Sequence, residues 1–246
     1  MNMIFYNSDI EGDKIKITGD DYKHLTVLRV LKNDVYDISD NKNYIYTGTI
    51  SEITGKYIEF TIMSKREIKE TLKPKITLYQ AVCKKDKNEY IIQKATELGV
   101  SEIVFFYSRN CVAVYDGKSE NKILRYEKTA KAAAMQSGRE LIPKIRGFYK
   151  FEEIVSEFSS SSCSLFFYEF AEQSFSEFAF NNIAQRKDNL KSLSFVIGSE
   201  GGFDEKEVDV IINNNIPVLS LGSRILRADT ASVCVLSVLS ACLGEF

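Results

Sequence analysis

The sequence predicts a two-domain chain: a small β-rich domain over residues 1–72, then a larger α/β domain over 73–246 built on a largely parallel sheet. Three observations carry this expectation. A chain of 246 residues exceeds what one small core requires. Short strand-like runs separated by turn residues fill the first seventy or so positions. From residue 75 the rhythm changes to apolar strand followed by amphipathic helix, the pattern of a parallel sheet covered on both faces.

Taken in order, IKIT (15–18), VYDIS (35–39), YIYTGTISEI (44–53) and YIEFTIM (57–63) read as strands, with DNKN (40–43) and TGK (54–56) as turns. One helix interrupts them over 20–31, where Leu25, Leu28 and Leu31 fall at helical spacing. Lys73-Pro74 suits a domain junction, because proline lacks a donor and restricts the residue before it. KITLYQAVC (75–83) precedes a helix over 86–98 that stops at Gly99, and EIVFFYS (102–108) precedes a long helix over 119–137. Beyond the serine-rich loop at 159–164, LFFYEF (165–170), SFVIGS (194–199) and IPVLSLG (216–222) read as further buried strands.

Composition narrows the function classes. With 44% hydrophobic and 27% charged residues the chain is an ordinary globular one, and no stretch approaches the roughly 20 apolar residues of a membrane span. The N-terminus has no basic segment followed by an apolar run, so a cytoplasmic location is expected. Cysteines at 83, 111, 163, 234 and 242 make no CxxC pair, and with a single histidine they argue for reduced thiols and against a metal site. The net charge of −2 hides an asymmetry: 26 basic against 20 acidic residues over 1–150, then 6 against 14 over 151–246. A polyanion would prefer the first part, although such asymmetry is equally compatible with a merely solvated surface.

Two glycine-rich loops follow predicted strands: Gly198-Ser199-Glu200-Gly201-Gly202 after SFVI, and Gly222-Ser223-Arg224 after PVLSL. Such loops present backbone N–H groups at the carboxyl edge of a parallel sheet, where ligands bind. Neither matches GxxxxGK[ST] or GxGxxG, which disfavours a nucleoside triphosphate or NAD. One glycine loop alone is usually a tight turn without a ligand; two, carrying charged residues, point to a site.

IGSEGGFDEKEV (197–208) and LGSRILRADTASVCVLSVL (221–239) closely resemble the paired signatures of the family that methylates N3 of a uridine in 16S ribosomal RNA, within the SPOUT methyltransferase superfamily. HLTVLRVLKND (24–34), QKATELGVSEIVFFYSRNC (93–111) and QSGR (136–139) extend the resemblance over nearly the whole chain. Ser199 and Ser223 stand where the family has prolines, Met135 replaces an acidic residue, and Ala-Asp-Thr at 228–230 replaces Thr-Glu-Thr. The resemblance implies a PUA-like β-barrel for RNA docking, an α/β domain with a C-terminal trefoil knot, S-adenosylmethionine as cofactor, a homodimer and no metal. It also implies a cofactor site formed by Phe167, Tyr168 and Glu169, by Ile197, Gly198, Ser199, Glu200, Gly201 and Gly202, and by Leu219, Ser220, Leu221, Gly222, Arg224, Ile225 and Leu226.

Uridine N3 is a weakly acidic imide, so attack on a sulfonium methyl requires proton removal or stabilisation of the uracil anion. Arg227 is the candidate cation, and Glu200 and Asp229 are candidate proton acceptors. Asp229 also suits the N-cap of the last helix, and Glu200 suits a loop-shaping contact to backbone amides. For the RNA, Gln136 and Arg139 are the leading candidates, since an amide reads a base edge and a guanidinium meets phosphate bidentately. Lys84, Lys85 and Arg109 follow strand ends and are placed to face RNA, though exposed lysines are commonly uncommitted. His24 and Arg29 are expected to touch RNA away from the target base, against the simpler reading of a helix-surface histidine. The expected substrate is 16S ribosomal RNA within an assembled or nearly assembled small ribosomal subunit. Methylation of another RNA, including a ribose hydroxyl, and a non-catalytic RNA-binding or assembly factor are the alternatives.

Overall fold

The structure, a computed structural model, describes residues 3–6, 10, 12–69, 74–84, 86–115 and 119–245. It contains two compact units, Met1–Leu72 with Ala134–Ile142, and Lys73–Ala133 with Pro143–Phe246. The junction expected at Lys73 lies outside the described residues.

The first unit is a five-stranded sheet in the order β1-β3-β4-β5-β2. Its strands are β1 (Met3–Phe5), β2 (Lys14–Ile17), β3 (Val35–Ser39), β4 (Tyr44–Ile53) and β5 (Ile58–Glu67). All pairs are antiparallel except β1 with β3. Register shifts at Thr47/Gly48 and Ile50/Glu52 bend β4 against β5, as bulges do. Ile4, Ile15, Ile38, Ile58 and Phe60 fill the interior beneath helix α1 (Gly19–Val27), which contributes Leu25. Segment 134–142 is tied to this unit by Glu140: its carboxylate accepts from Arg66 at 2.6 Å and from the Lys69 N–H at 2.7 Å, and its carbonyl accepts from Ser39 Oγ at 2.7 Å.

The helix expected over 20–31 ends at Val27, and Leu28 and Leu31 are exposed at 55% and 68%. The backbone itself stops the helix there, for Arg29 and Asn33 adopt left-handed conformations at φ 55° and 75°.

The second unit holds a seven-stranded, wholly parallel sheet in the order β10-β12-β9-β11-β6-β7-β8. Its strands are β6 (Lys75–Ala81), β7 (Glu102–Tyr107), β8 (Lys144–Lys150), β9 (Cys163–Phe167), β10 (Gln173–Ser174), β11 (Ser192–Ile197) and β12 (Val218–Ser220). The helices are α2 (Lys87–Glu97), α3 (Ser119–Ser137), α4 (Phe151–Ser159), α5 (Phe175–Phe178), α6 (Glu205–Asn213) and α7 (Ala228–Leu243). Phe106, Phe151, Phe166 and Phe203 form an aromatic group in the core, with Phe166 and Phe203 rings 4.4 Å apart. Burying each such side chain stabilises by about 1.5–3 kcal/mol. Because Phe203 immediately follows Gly202, this packing fixes the end of the first glycine loop to the core.

Strand ends fall short of the apolar runs. β6 stops at Ala81, β9 at Phe167 and β12 at Ser220, so Tyr168, Glu169 and Phe170 leave the sheet and Phe170 is 72% exposed. The five cysteines are free, and no group of metal-ligating side chains occurs among the described residues. No helix is long and apolar enough to cross a membrane among the described residues.

Candidate cofactor and substrate site

The carboxyl ends of β9, β11 and β12 open into a cavity of about 810 Å³, within the range of a small-molecule site. Its wall takes Phe167, Tyr168 and Glu169 from the end of β9 and the chain beyond it, Ile197, Gly198, Ser199, Glu200 and Gly202 from the end of β11 onward, and Leu219 through Arg227 from the end of β12 onward. The structure thus brings together three segments, 167–169, 197–202 and 219–227, that are apart in the chain, as parallel-sheet topology does with the loops at one strand edge.

The first loop turns back on itself, with the Gly202 N–H donating to Ser199 O at 3.1 Å and Gly202 at φ 64°. Gly201 is not in the wall. It packs the other way: a Cβ there would lie 2.7 Å from Asn110 O, and Asn110 Nδ2 donates to Gly201 O at 3.0 Å. In the second loop Gly222 adopts φ 106°, a conformation that glycine takes without strain, and a Cβ added to it would meet no atom within 4 Å.

Buried Gln80 couples the site to the last helix. Its Nε2 donates to Gly198 O at 3.2 Å and Ala81 O at 2.9 Å, while its Oε1 accepts from Ser232 Oγ on α7 at 2.7 Å. Glu207 on α6 is 2% exposed and accepts from the Arg109 N–H and the Asp204 N–H, both at 3.0 Å. Burial raises its carboxyl above the ordinary value, against the lowering effect of those two N–H groups.

Glu200 pairs with Lys87 Nζ at 2.8 Å and accepts from the Lys84 N–H at 3.2 Å. Burial pushes its carboxyl up, but the bonds from Lys87 and from backbone N–H groups outweigh that and hold it below the usual range. Lys87, the first residue of α2, is itself part of the wall. Nearby Cys83 is fully buried, and burial drives its thiol far up, which makes it a poor nucleophile.

Asp229 does not cap α7. Arg227 holds the N-cap position with extended backbone, and Asp229 is the second residue of the helix. The side-chain Oδ1 of Asp229 is shielded from solvent and has no hydrogen-bond partner among the described residues. Arg227 is exposed, lines the cavity, and has no side-chain partner among the described residues.

The remaining sequence candidates lie elsewhere. Lys84 and Arg109 are exposed at the ends of β6 and β7, Arg109 within 3.6 Å of Asp204, and Lys85 lies outside the described residues. Gln136 is exposed on the last turn of α3, and Arg139 follows Gly138; both belong to the first unit. His24 and Arg29 are exposed, in and just after α1. Sequence reasoning missed Gln80, Lys87, Asn110, Glu207 and Ser232; only Lys87 left a signal, in the charged run KKDK (84–87).

A protein with this parallel sheet, glycine-loop cavity and small β domain is one of a recognised class. The family profile described as RNA methyltransferase domain matches residues 70–240, and that described as RNA methyltransferase PUA domain matches 17–63. The chain belongs to this RNA methyltransferase family, and within it to the branch named ribosomal RNA small subunit methyltransferase E. The protein of that name from Mesomycoplasma hyopneumoniae is 29% identical over 95% of this chain and 96% of its own length. That from Buchnera aphidicola subsp. Schizaphis graminum is 30% identical over 89% and 86%. Among solved structures, a methyltransferase from Legionella pneumophila in complex with the cofactor S-adenosylmethionine superposes with a TM-score of 0.84 at 26% identity, covering 97% of this chain and 96% of that one. The Neisseria gonorrhoeae ribosomal RNA small subunit methyltransferase E bound to S-adenosylmethionine has the same fold, with a TM-score of 0.86 at 22% identity over 100% and 99%.

Proposed function

We propose that this chain is an S-adenosylmethionine-dependent methyltransferase that modifies N3 of a uridine in 16S ribosomal RNA of the small ribosomal subunit. The observation that carries the reading is the cavity at the ends of β9, β11 and β12, walled by the backbone of two glycine loops. Its residues fit the cofactor. Phe167, Tyr168, Ile197, Leu219, Leu221 and Leu226 provide apolar surface for a flat heteroaromatic ring. The loop peptides offer N–H and C=O groups to an amino-acid moiety, and Gly222 leaves open space that a side chain would occupy. Glu169 and Glu200 supply negative charge beside a cationic ligand.

What S-adenosylmethionine supplies when bound is a methyl carbon on a positively charged sulfur. The chain must deliver N3 of uracil to that carbon and take up its proton. Arg227, free to reorient at the cavity rim, stabilises negative charge developing on the base. Asp229, which has one shielded oxygen lacking a donor among the described residues but stands outside the cavity wall, would accept the N3 proton by turning toward the base. Glu200, already committed to Lys87 and the Lys84 N–H, is the weaker base.

The first unit, with residues 1–72 as its main part, serves RNA docking through His24, Arg29, Gln136 and Arg139, and Lys84 and Arg109 of the second unit also meet RNA. The wider reading includes a trefoil knot, supported by the placement of the late strand β12 between β9 and β10 instead of beyond β8. It also includes a homodimer and a cytoplasmic site of action, as the ribosomal substrate requires. Near-neutral net charge fits recognition of an assembled subunit by shape and a local basic patch. The test is calorimetry with S-adenosylmethionine followed by methyl transfer to purified small subunits, wild type against Arg227→Ala. Binding with transfer, reduced about 10²-fold or more in the variant, is expected. Absence of cofactor binding would favour a non-catalytic RNA-binding factor, and full activity of the variant would remove Arg227 from its role.

A further inference from the structure

Sheet order divides the site into two flanks. The segments that wall most of the cavity follow β9, β11 and β12, which are neighbours. On the far side of β11 lie β6 and then β7, and the segments that follow these two strands carry Lys84, Lys87 at the start of α2, and Arg109. Arg224 and Arg227 bring cations to the wall on the first flank. Lys84, Lys87 and Arg109 are the cations of the second flank.

Lys87 is the one of these cations that reaches the cavity wall. Its position is tightly built. Asn88, fully buried, accepts from the Cys83 N–H at 3.0 Å, donates to Cys83 O at 2.9 Å, and donates to Tyr115 Oη at 3.3 Å, which ties the first turn of α2 to Cys83. Glu200 then crosses from the other flank to hold Lys87 Nζ at 2.8 Å and the Lys84 N–H at 3.2 Å. The Lys87 side chain is 26% exposed, so its ammonium is drier than a surface lysine and keeps N–H donors beyond the one directed at Glu200.

We propose that Lys87 is a further catalytic cation of the site, donating to a carbonyl oxygen of the target uracil, and that Glu200 is the positioning residue that holds it there. The inference rests on the methyl-transfer reading above and refines it. Loss of the N3 proton spreads negative charge onto the two flanking carbonyl oxygens of the base, and an ammonium fixed beforehand at one of them stabilises that charge without reorganisation. The N3 proton passes to Asp229, N3 gains the methyl carbon, and the bond to sulfur breaks with its electron pair retained by sulfur. Lys87 moves no proton in this sequence. The groups that face it are Glu200 at 2.8 Å and the Cys83 thiol, which feels its charge, while Glu169, Arg224 and Arg227 line the same cavity.

The experiment compares wild type, Lys87→Gln, Lys87→Arg and Glu200→Gln. Each is assayed for S-adenosylmethionine affinity by calorimetry and for kcat on purified small subunits lacking the modification, from about pH 7 to about pH 9. Lys87→Gln is expected to bind cofactor within about threefold of wild type yet lose about 10²-fold in kcat near neutrality, with partial recovery at the alkaline end as the base ionises unaided. Lys87→Arg should restore most of the loss. Glu200→Gln should cost about tenfold in kcat while keeping the wild-type pH profile, because a positioning residue is not the base. Wild-type kcat and pH profile in Lys87→Gln would overturn the inference. So would a loss confined to cofactor affinity, which would move Lys87 to the other flank's ligand. A wild-type enzyme that transfers no methyl group would overturn the underlying reading instead, and the wild-type arm separates the two failures.

Discussion

Replacing Gly201 by alanine tests how firmly the first glycine loop is seated. An added Cβ would lie 2.7 Å from Asn110 O and 2.9 Å from Asn110 Cβ, closer than real contacts allow. Restoring an ordinary 3.4 Å separation requires a shift of about 0.7 Å in one of two backbones. Overpacking of this kind costs about 1–3 kcal/mol. The shift also strains the Asn110 Nδ2 bond to Gly201 O, now 3.0 Å, worth about 1 kcal/mol. Without ligand the loop relaxes away from Asn110, and cofactor binding must bring it back. If about 2–3 kcal/mol of this cost falls on the bound state, the S-adenosylmethionine Kd rises about 30- to 150-fold, at 1.4 kcal/mol per tenfold. Calorimetry measures it directly, with Gly55→Ala as control because a Cβ at Gly55 meets no atom within 4 Å. A Gly201→Ala Kd within about twofold of wild type would refute the packing argument.

Phe203→Ala removes a 6%-exposed ring packed against Phe106, Phe151 and Phe166, so a loss of about 3–5 kcal/mol is expected. By calorimetric melting that lowers Tm by about 6–20 °C, and a shift below about 2 °C would contradict the assigned core. Glu207 gives a pH signature. Its folded carboxyl titrates above the ordinary value, so between the two values the folded state holds the extra proton and stability falls as pH rises through that window. Urea unfolding across mildly acidic pH should show this decline in wild type and a flatter dependence in Glu207→Gln; identical slopes would remove the raised carboxyl as its cause.

Much of the fold was legible because local signals agreed with tertiary ones. β3 and β4 begin and end where VYDIS and YIYTGTISEI do, since the DNKN turn between them has the residues a tight reversal needs. Helix α3 spans the whole amphipathic run 119–137. Leu28 and Leu31 misled because periodicity cannot register two left-handed residues at 29 and 33. The cavity wall was legible through the glycine loops and their resemblance to a known family. Its supports were not: Asn110 meets Gly201, Glu207 meets Arg109 and Gln80 meets Ser232 across 91, 98 and 152 residues, distances at which no spacing rule operates. Asp229 was open to an N-cap reading from sequence, and only the backbone at Arg227 assigns that position elsewhere.

The most direct test is the modified nucleoside itself. Small-subunit RNA from a strain lacking this chain, digested and analysed by mass spectrometry before and after incubation with the purified protein and S-adenosylmethionine, should lack N3-methyluridine at one position and regain it. A restored ribose methylation, or no restored methyl group at all, would contradict methyl transfer to uracil N3.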